Sequence, residues 1–409
     1  MNTIVLPKKR SFGQIQIPLP SSKSESNRVL IIDALTKGAN KLSNLAEARD
    51  TQTMIRLLKE DPDTYDVLDA GTTMRFLTAY AALNNRQKTM KGTPRMCERP
   101  IGILVDALKE IGASINYLKK EGFPPLSIEG FSGQKTKEIE IRGDVSSQYI
   151  SALLMNAPLL PDGLVLNLTG KIGSRTYITM TLELMKTFGV DYIFEGSQIE
   201  IKPGKYQPTS FSVESDWSGA SYWFSLLACA DSGELFLKGL KAESLQGDAK
   251  IVAIMDKLGV ESEFQSNGII LRKKEISGLP SFDFTHCPDL AQTVAVTCAI
   301  TGQTSDFMGL ESLRIKETDR IDALQRELAK IGALLEERKE GVFTLVPATN
   351  IPDKVSIATY DDHRMAMAFM PLITRTKLEI EDPEVVNKSY PSFWKHCSLL
   401  DIQPKFINE

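Results

Sequence analysis

Ile103-Leu-Val-Asp-Ala-Leu-Lys-Glu-Ile-Gly112 sets apolar residues at helical spacing and ends on a glycine, the pattern of an amphipathic helix closed by a glycine C-cap. It returns as Met180-Thr-Leu-Glu-Leu-Met-Lys-Thr-Phe-Gly189, Ile251-Val-Ala-Ile-Met-Asp-Lys-Leu-Gly259 and Ile321-Asp-Ala-Leu-Gln-Arg-Glu-Leu-Ala-Lys-Ile-Gly332. The four glycines lie 77, 70 and 73 residues apart. A period near seventy is longer than that of solenoid repeats, so each unit is expected to be a small sub-fold. Weaker copies at Met54-Ile-Arg-Leu-Leu58 and from Phe393 to Leu400 bring the count to six. The runs after the helices, Ser114-Ile-Asn-Tyr-Leu118, Asp191-Tyr-Ile-Phe194 and Leu334-Leu-Glu-Glu, read as strands. Six α/β units divide as three plus three. With crossovers at 18–20 and 211–216, one lobe is expected to hold residues 21–214 and the other both chain ends, 1–20 plus 215–409.

A chain of 409 residues is too long for one ordinary core, which agrees with two lobes. Hydrophobic content of 42% and charged content of 24% are those of a soluble globular protein. The net charge of −4 argues against a general nucleic-acid binder, so a cationic site has to be a local concentration. The first ten residues have a basic cluster after a very short apolar run and no signal-peptide core. No apolar run approaches about 18 residues, so no membrane span is expected. Five cysteines, odd in number and without a Cys-x-x-Cys pair, suit a reducing cytoplasm, the expected location. His286, His363 and His396 are too scattered to make a metal signature.

Charged and hydroxyl-bearing segments abut apolar helices throughout. In Pro20-Ser-Ser-Lys-Ser-Glu-Ser-Asn-Arg28, Ser22 and Glu25 read as a capping box, with Gly38 placed to stop the helix. Lys23, Ser24 and Arg28 then crowd a first turn already suited to a phosphate or carboxylate, though a capped surface helix with two solvated cations would read alike. Asp69-Ala-Gly-Thr-Thr-Met-Arg75 puts Gly71 and Thr72 at the start of another helix, as an ordinary capped turn also would. In Pro94-Arg-Met-Cys-Glu-Arg-Pro-Ile101, Arg95 and Arg99 stand beside Pro100, which can open the next helix at its first position. Their planar forks suit an anion, or an ion pair with Glu98. Ser146, Ser147 and Gln148 offer groups that bind sugars and phosphates and that also cap helices.

Farther on, Asp289 in His286-Cys-Pro-Asp-Leu-Ala-Gln292 is either an N-cap or a general base. In Leu313-Arg-Ile-Lys-Glu-Thr-Asp-Arg320 helical geometry puts Lys316 and Arg320 on one face, with Ile321, Leu324, Leu328 and Ile331 on the buried one. Tyr360-Asp-Asp-His-Arg-Met-Ala-Met367 brings Asp362, His363 and Arg364 onto an apolar helix, and Asn387-Lys-Ser-Tyr-Pro391 adds Lys388. Solvated surface faces explain such a recurrence badly.

These segments, taken in order from Ser22 to Pro391, resemble the enolpyruvyl transferases, in the branch that uses shikimate 3-phosphate. Seven motifs carry the resemblance: Ser-Lys-Ser-x-Ser-Asn-Arg, Ala-Gly-Thr-x-Met-Arg, Pro-Arg-Met-x-Glu-Arg-Pro-Ile, Val-Ser-Ser-Gln, Arg-x-Lys-Glu-Thr-Asp-Arg, Asp-His-Arg-Met-Ala and Lys-Ser-Tyr-Pro. The resemblance implies an α/β fold of two similar lobes, each of three repeated units around a pseudo-threefold axis, with the active site in the cleft. It implies transfer of the enolpyruvyl group of phosphoenolpyruvate to the 5-hydroxyl of shikimate 3-phosphate, a step of the shikimate pathway to chorismate. By similarity Lys23, Ser24, Arg28, Ser146, Ser147, Gln148, Ser174, Tyr177, Asp289, Ser312 and Lys316 would hold shikimate 3-phosphate. Lys23, Gly71, Arg99, Gln148, Arg320, Arg364 and Lys388 would hold phosphoenolpyruvate. Asp289 and Glu317 match the acid–base pair, with Lys316 and Lys23 as further catalytic residues. The implied partners are these two small molecules, with no nucleic acid, membrane, metal or organic cofactor, and a monomer is expected. Asp69 and Ser312 depart from the family, which has asparagine at the first position generally and at the second in many members. The branch acting on UDP-N-acetylglucosamine fits less well, since its cysteine-bearing loop is not evident. A non-catalytic anion-binding protein would not need Asp289 and Glu317 together, and a kinase would need a phosphate-binding loop that is absent.

Overall fold

The repeating element is a βαβαββ segment. In one copy it runs through strand Thr64–Asp66, helix Gly71–Leu83, strand Lys88–Lys91, helix Gly102–Ile111 and the hairpin Ala113–Tyr117 and Leu126–Phe131. The first two strands pair in parallel and the hairpin's second strand lies antiparallel beside the second, giving the spatial order first, second, fourth, third. The same order recurs in Glu138–Arg142, Leu164–Thr169, Ile193–Glu195 and Gln198–Ile201. It recurs again in Ser281–Asp283, Ser305–Met308, Leu334–Lys339 and Val342–Val346.

Two further copies borrow strands from the chain's beginning. Ser11–Pro18 runs parallel to Ser232–Lys238 and supplies the first strand of the sheet completed by Val260–Gln265 and Gly268–Lys273. Asn2–Leu6 enters antiparallel between Lys377–Glu381 and Lys405–Asn408, and Lys354–Ile357 completes that sheet. The sixth copy is truncated: Ser210–Ser212 pairs in parallel with Lys41–Ser43, with helices Lys23–Leu35 and Arg49–Glu60 but no hairpin. The computed structural model describes residues 2–144, 146–278 and 281–408. By contact the chain divides into two compact units, Ser21–Val213 and Met1–Pro20 with Glu214–Glu409.

The four glycine-ended helices of the sequence are the second helices of four of the six copies, half exposed and therefore periodic. The first helices are a different case. Every residue of Ala291–Thr301 except Thr301 is buried, as is every residue of Gly71–Leu83 except Thr72. Such a helix shows no apolar stripe, because it has no polar face. Paired hydroxyls fasten these helices inside the core: Ser225 lies 2.7 Å from Thr297 across the contact between Trp217–Cys229 and Ala291–Thr301. Pro100 does not open a helix as expected. The helix begins at Gly102, and the N–H groups of Ile101 and Gly102 donate to the Gly122 carbonyl at 2.9 and 3.1 Å.

Gly112 and Gly332 both close their helices at positive φ, +131° and +74°, but in different surroundings. A Cβ at Gly112 would overlap the Gly133 carbonyl oxygen, whereas the nearest atom to one at Gly332 is the Asn350 oxygen at 3.6 Å. Gly332→Ala should therefore cost only the backbone strain, about 1–2 kcal/mol. Gly112→Ala adds a backbone clash and should cost about 3 kcal/mol or more. Urea denaturation of the two variants checks the order, and equal costs would mean the Gly133 turn yields freely.

Candidate active site

In the unit Ser21–Val213 the helix Lys23–Leu35 starts with the serine half of the capping box, Ser22 Oγ accepting from the Glu25 N–H at 3.3 Å. It ends with Gly38 donating to Asp33 at 2.9 Å. Arg28 is not a solvated cation. It is buried, donating to Thr181 Oγ1 at 2.7 Å, the Ser24 carbonyl at 2.9 Å, Ser151 Oγ at 3.2 Å and the Tyr177 carbonyl at 3.4 Å. Burial pulls its pKa down to about 10, with Tyr177 and then Glu25 acting in the opposite sense. Arg28 thus lies behind Ser24 and Tyr177 and ties helix Lys23–Leu35 to Ser147–Asn156 and Arg175–Thr187. Lys23 Nζ lies 3.2 Å from Asp50 Oδ2.

Arg99 packs its guanidinium against the first residue of helix Gly71–Leu83, where a side chain would push it aside. A Cβ at Gly71 would come within 2.8 Å of Nη1 and 2.9 Å of Nη2. The loop is held at Pro100, whose carbonyl accepts from Tyr149 Oη at 2.5 Å and Arg75 Nη2 at 2.9 Å. Glu98 pairs with Arg95 at 3.0 Å. The Nε of Arg99 is buried without a hydrogen-bond partner among the described residues. Gln148 Nε2 donates to Thr72 Oγ1 at 3.1 Å from the first turn of helix Ser147–Asn156, which Ser146 caps and Ser147 opens. Val145 of the same motif lies outside the described residues. Ser174 stands in the left-handed region, φ +50°, just before helix Arg175–Thr187. Asp69 does not cap the helix that follows it. Its carboxylate takes Arg49 Nη2 at 2.6 Å.

The unit containing Glu214–Glu409 is organised around Arg320, 2% exposed. Its Nε meets Asp362 Oδ2 at 2.6 Å, Nη2 meets Glu317 Oε2 at 2.8 Å, and Nη1 meets Asp289 Oδ1 at 3.1 Å. Burial alone would lower the guanidinium's pKa, but Asp362 and Glu317 outweigh it and hold Arg320 above its ordinary value. Asp362 also caps helix His363–Ala368, accepting the Arg364 N–H at 2.8 Å, and His363 is buried beside it. Arg364 Nη2 lies 2.9 Å from Asp289 Oδ2. Asp289 is therefore not an N-cap: helix Ala291–Thr301 has no side-chain cap, and the carboxylate is shared by two arginines.

Lys316 and Arg320 do not share a helical face. A 3-10 turn, Glu311–Ile315, holds half-buried Ser312, Lys316 is extended, and Asp319 starts the helix by accepting from the N–H groups of Ile321 and Asp322, both at 3.1 Å. The buried face of Ile321, Leu324, Leu328 and Ile331 is as expected. Lys388 Nζ binds Asp361 twice, at its carbonyl (2.7 Å) and its carboxylate (2.8 Å). Tyr360 and Asp361 are consecutive residues at positive φ, +54° and +55°. Glu327, buried in helix Arg320–Ala329, holds that turn through Tyr360 Oη at 2.7 Å and the Ala358 N–H at 3.1 Å.

Sequence reasoning passed over Asp50, Glu327, Arg49 and Asp248. Glu327 carried a signal, a carboxylate on an otherwise apolar helical face. Asp248 is buried and accepts the Ser218 hydroxyl; burial, and then the Asp289 carboxylate, push its pKa from 3.8 up to about 7. Below about pH 4 it is protonated folded or unfolded. Between about pH 4 and 7 only the unfolded chain releases the proton, so stability falls as pH rises, and above about 7 the whole loss is present. Asp248→Asn should match wild type in melting temperature near pH 4 and exceed it near pH 8. A wild-type advantage at pH 8 would mean the carboxylate is ionised and stabilised in place.

Five four-stranded copies and a truncated sixth, with arginines and lysines gathered at helix starts and one guanidinium joining three carboxylates, have the character of an enolpyruvyl transferase. The sequence pattern of the EPSP synthase family (3-phosphoshikimate 1-carboxyvinyltransferase) matches residues 7–61 and 60–397. A 3-phosphoshikimate 1-carboxyvinyltransferase from Bacteroides fragilis is 48% identical over 388 residues, covering 92% of this chain and 93% of its own. Enzymes of the same name from a Sulfurovum species and Vibrio cholerae are 37% and 36% identical, covering 97% and 94% of this chain and 98% and 96% of their own. A solved EPSP synthase from Acinetobacter baumannii superposes with a TM-score of 0.77 over both whole chains at 19% identity, a likeness of fold. The chain belongs to the EPSP synthase family.

Proposed function

We propose that this protein transfers the enolpyruvyl group of phosphoenolpyruvate to the 5-hydroxyl of shikimate 3-phosphate, releasing inorganic phosphate. Family membership supports the reaction, and the observation that carries the mechanism is the single buried guanidinium joining Asp289 and Glu317. The acceptor oxygen attacks C2 of phosphoenolpyruvate as one carboxylate takes its proton, and the methylene carbon is protonated by the other group of the pair. The tetrahedral adduct then loses a proton from the new methyl group and expels phosphate, which leaves the enol ether. Lys316 and Lys23 stand as further proton-carrying groups. In this reading the cations lower the cost of charge that moves onto the departing phosphate.

By similarity, shikimate 3-phosphate would be held by Lys23, Ser24, Ser146, Ser147, Gln148, Ser174 and Tyr177, with Arg28 behind them, and by Asp289, Ser312 and Lys316. Phosphoenolpyruvate would meet Lys23, Gly71, Arg99 and Gln148, and Arg320, Arg364 and Lys388. Arg99 is the best supported of these, a buried fork with an unmatched Nε at a helix start. A cytoplasmic place of action agrees with five free cysteines, and no helix among the described residues is long and apolar enough to cross a membrane.

Phosphate release from phosphoenolpyruvate, with shikimate 3-phosphate and UDP-N-acetylglucosamine compared as acceptors, tests the reading. Turnover with the first alone is expected, and turnover with the second alone would overturn it. Asp289→Asn and Glu317→Gln should each lower kcat by about a hundredfold or more with substrate binding largely kept. Asp289→Asn also leaves two arginines short of a partner, so its melting temperature should fall too. Loss of stability with an unchanged rate would make that carboxylate structural.

A further inference from the structure

We propose that Arg49 is a positioning residue for phosphoenolpyruvate, clamping the Asp69 carboxylate so that it neither repels the bound anion nor draws its cations away. The inference rests on the reaction proposed above and adds a residue to it. Asp69 stands two residues before Gly71, against which the Arg99 guanidinium packs. The N-cap of helix Gly71–Leu83 is Ala70, one residue on, and the helix has no side-chain cap. The Asp69 carboxylate is turned to Arg49 Nη2 at 2.6 Å.

Arg49 is itself well placed to do this. It opens helix Arg49–Glu60, and the next residue, Asp50, takes Lys23 through its carboxylate and Thr73 Oγ1 through its carbonyl at 3.1 Å. The start of one helix is thus bolted to the first turn of the other, and charges are disposed as Arg49 with Asp69 and Lys23 with Asp50. Arg99 keeps its unmatched Nε. Arg49 is 45% exposed, and an ion pair so open to solvent adds little to stability. Its effect on an anion is another matter, because an unneutralised carboxylate about 4 Å from a phosphate weakens binding by about fivefold even in a water-like dielectric, and more when water is excluded. A released Asp69 could also recruit Arg99 or Lys23, with the same result for the ligand.

Charge removal in a double-variant cycle tests this. Arg49→Ala should raise the KM for phosphoenolpyruvate by about fivefold or more, with kcat within about twofold and the KM for shikimate 3-phosphate moving less. Adding Asp69→Asn should bring the KM back to within about twofold of the Asp69→Asn single variant, which a merely structural role for Arg49 would not produce. Arg49→Lys should keep most of the affinity, and the Arg49→Ala defect should shrink in high salt. If Arg49→Ala does not fold, Arg49→Gln, which keeps the stem, carries the test. An unmoved KM in a folded Arg49 variant, or a double variant as poor as Arg49→Ala, overturns the inference while the reaction stands. A wild-type protein that releases no phosphate with shikimate 3-phosphate overturns both.

Discussion

The burial of Arg320 constrains the second unit more than any other interaction. A guanidinium at 2% exposure has to be compensated, since removing one partner of a buried ion pair typically costs about 3–5 kcal/mol. Its three carboxylates come from separate places: Asp289 from the turn before one buried helix, Glu317 from a bend in an irregular loop, Asp362 from the cap of another helix. Each of those segments is thereby located by the same side chain. The Lys316–Asp319 stretch, which has no regular structure to hold it, is anchored at Glu317 and at the Asp319 cap.

Arg28 meets the same constraint by other means, and the difference bears on the chemistry. Its donors are taken by hydroxyls and carbonyls, so desolvation prevails and its pKa falls, whereas carboxylates prevail around Arg320 and hold it above its ordinary value. Around Asp289 two guanidiniums face three carboxylates, a cluster whose charges largely cancel and leave one net negative charge. Around Arg28 hydroxyls and carbonyls leave its positive charge largely uncancelled, and its field extends to the Ser24 turn above it. Arg28 and Arg320 are thus dressed differently, in keeping with the anion binding proposed beside the first and the proton transfer proposed beside the second.

Much of this was legible in the sequence where a helix has two faces. Six copies could be counted because the second helix of each is amphipathic and ends on a turn residue. The first helices, such as Ala291–Thr301, were invisible to periodicity because both faces are apolar. The insertion of Asn2–Leu6 into the last sheet depends on pairing across nearly the whole chain, which no local pattern announces. The site reads the same way. Motifs named Lys23, Arg28 and the Tyr360 turn, but their partners Asp50, Thr181 and Glu327 lie on other elements. The Lys316–Arg320 face was misread because a helix was run through Asp319. An aspartate three residues before Asp322 and two before the first residue of an apolar-periodic run is an N-cap signal, and it puts the helix start after Lys316.

The Tyr360–Asp361 turn shows how far the site depends on residues remote from the reaction. Two successive non-glycine residues in the left-handed region cost about 1–2 kcal/mol each, a cost that persists only where surrounding contacts over-determine the conformation. Glu327 provides them from below, through Tyr360 and the Ala358 N–H, and Lys388 from the far side, through both oxygens that Asp361 offers. Relaxation of the turn would separate Asp361 from Lys388 and, one residue on, pull Asp362 from beneath Arg320. With Asp362 displaced, the guanidinium would lose the carboxylate at 2.6 Å and shift toward Asp289 and Glu317. The position of the two carboxylates proposed to move protons is therefore set, two steps away, by a buried glutamate on the apolar face of a helix.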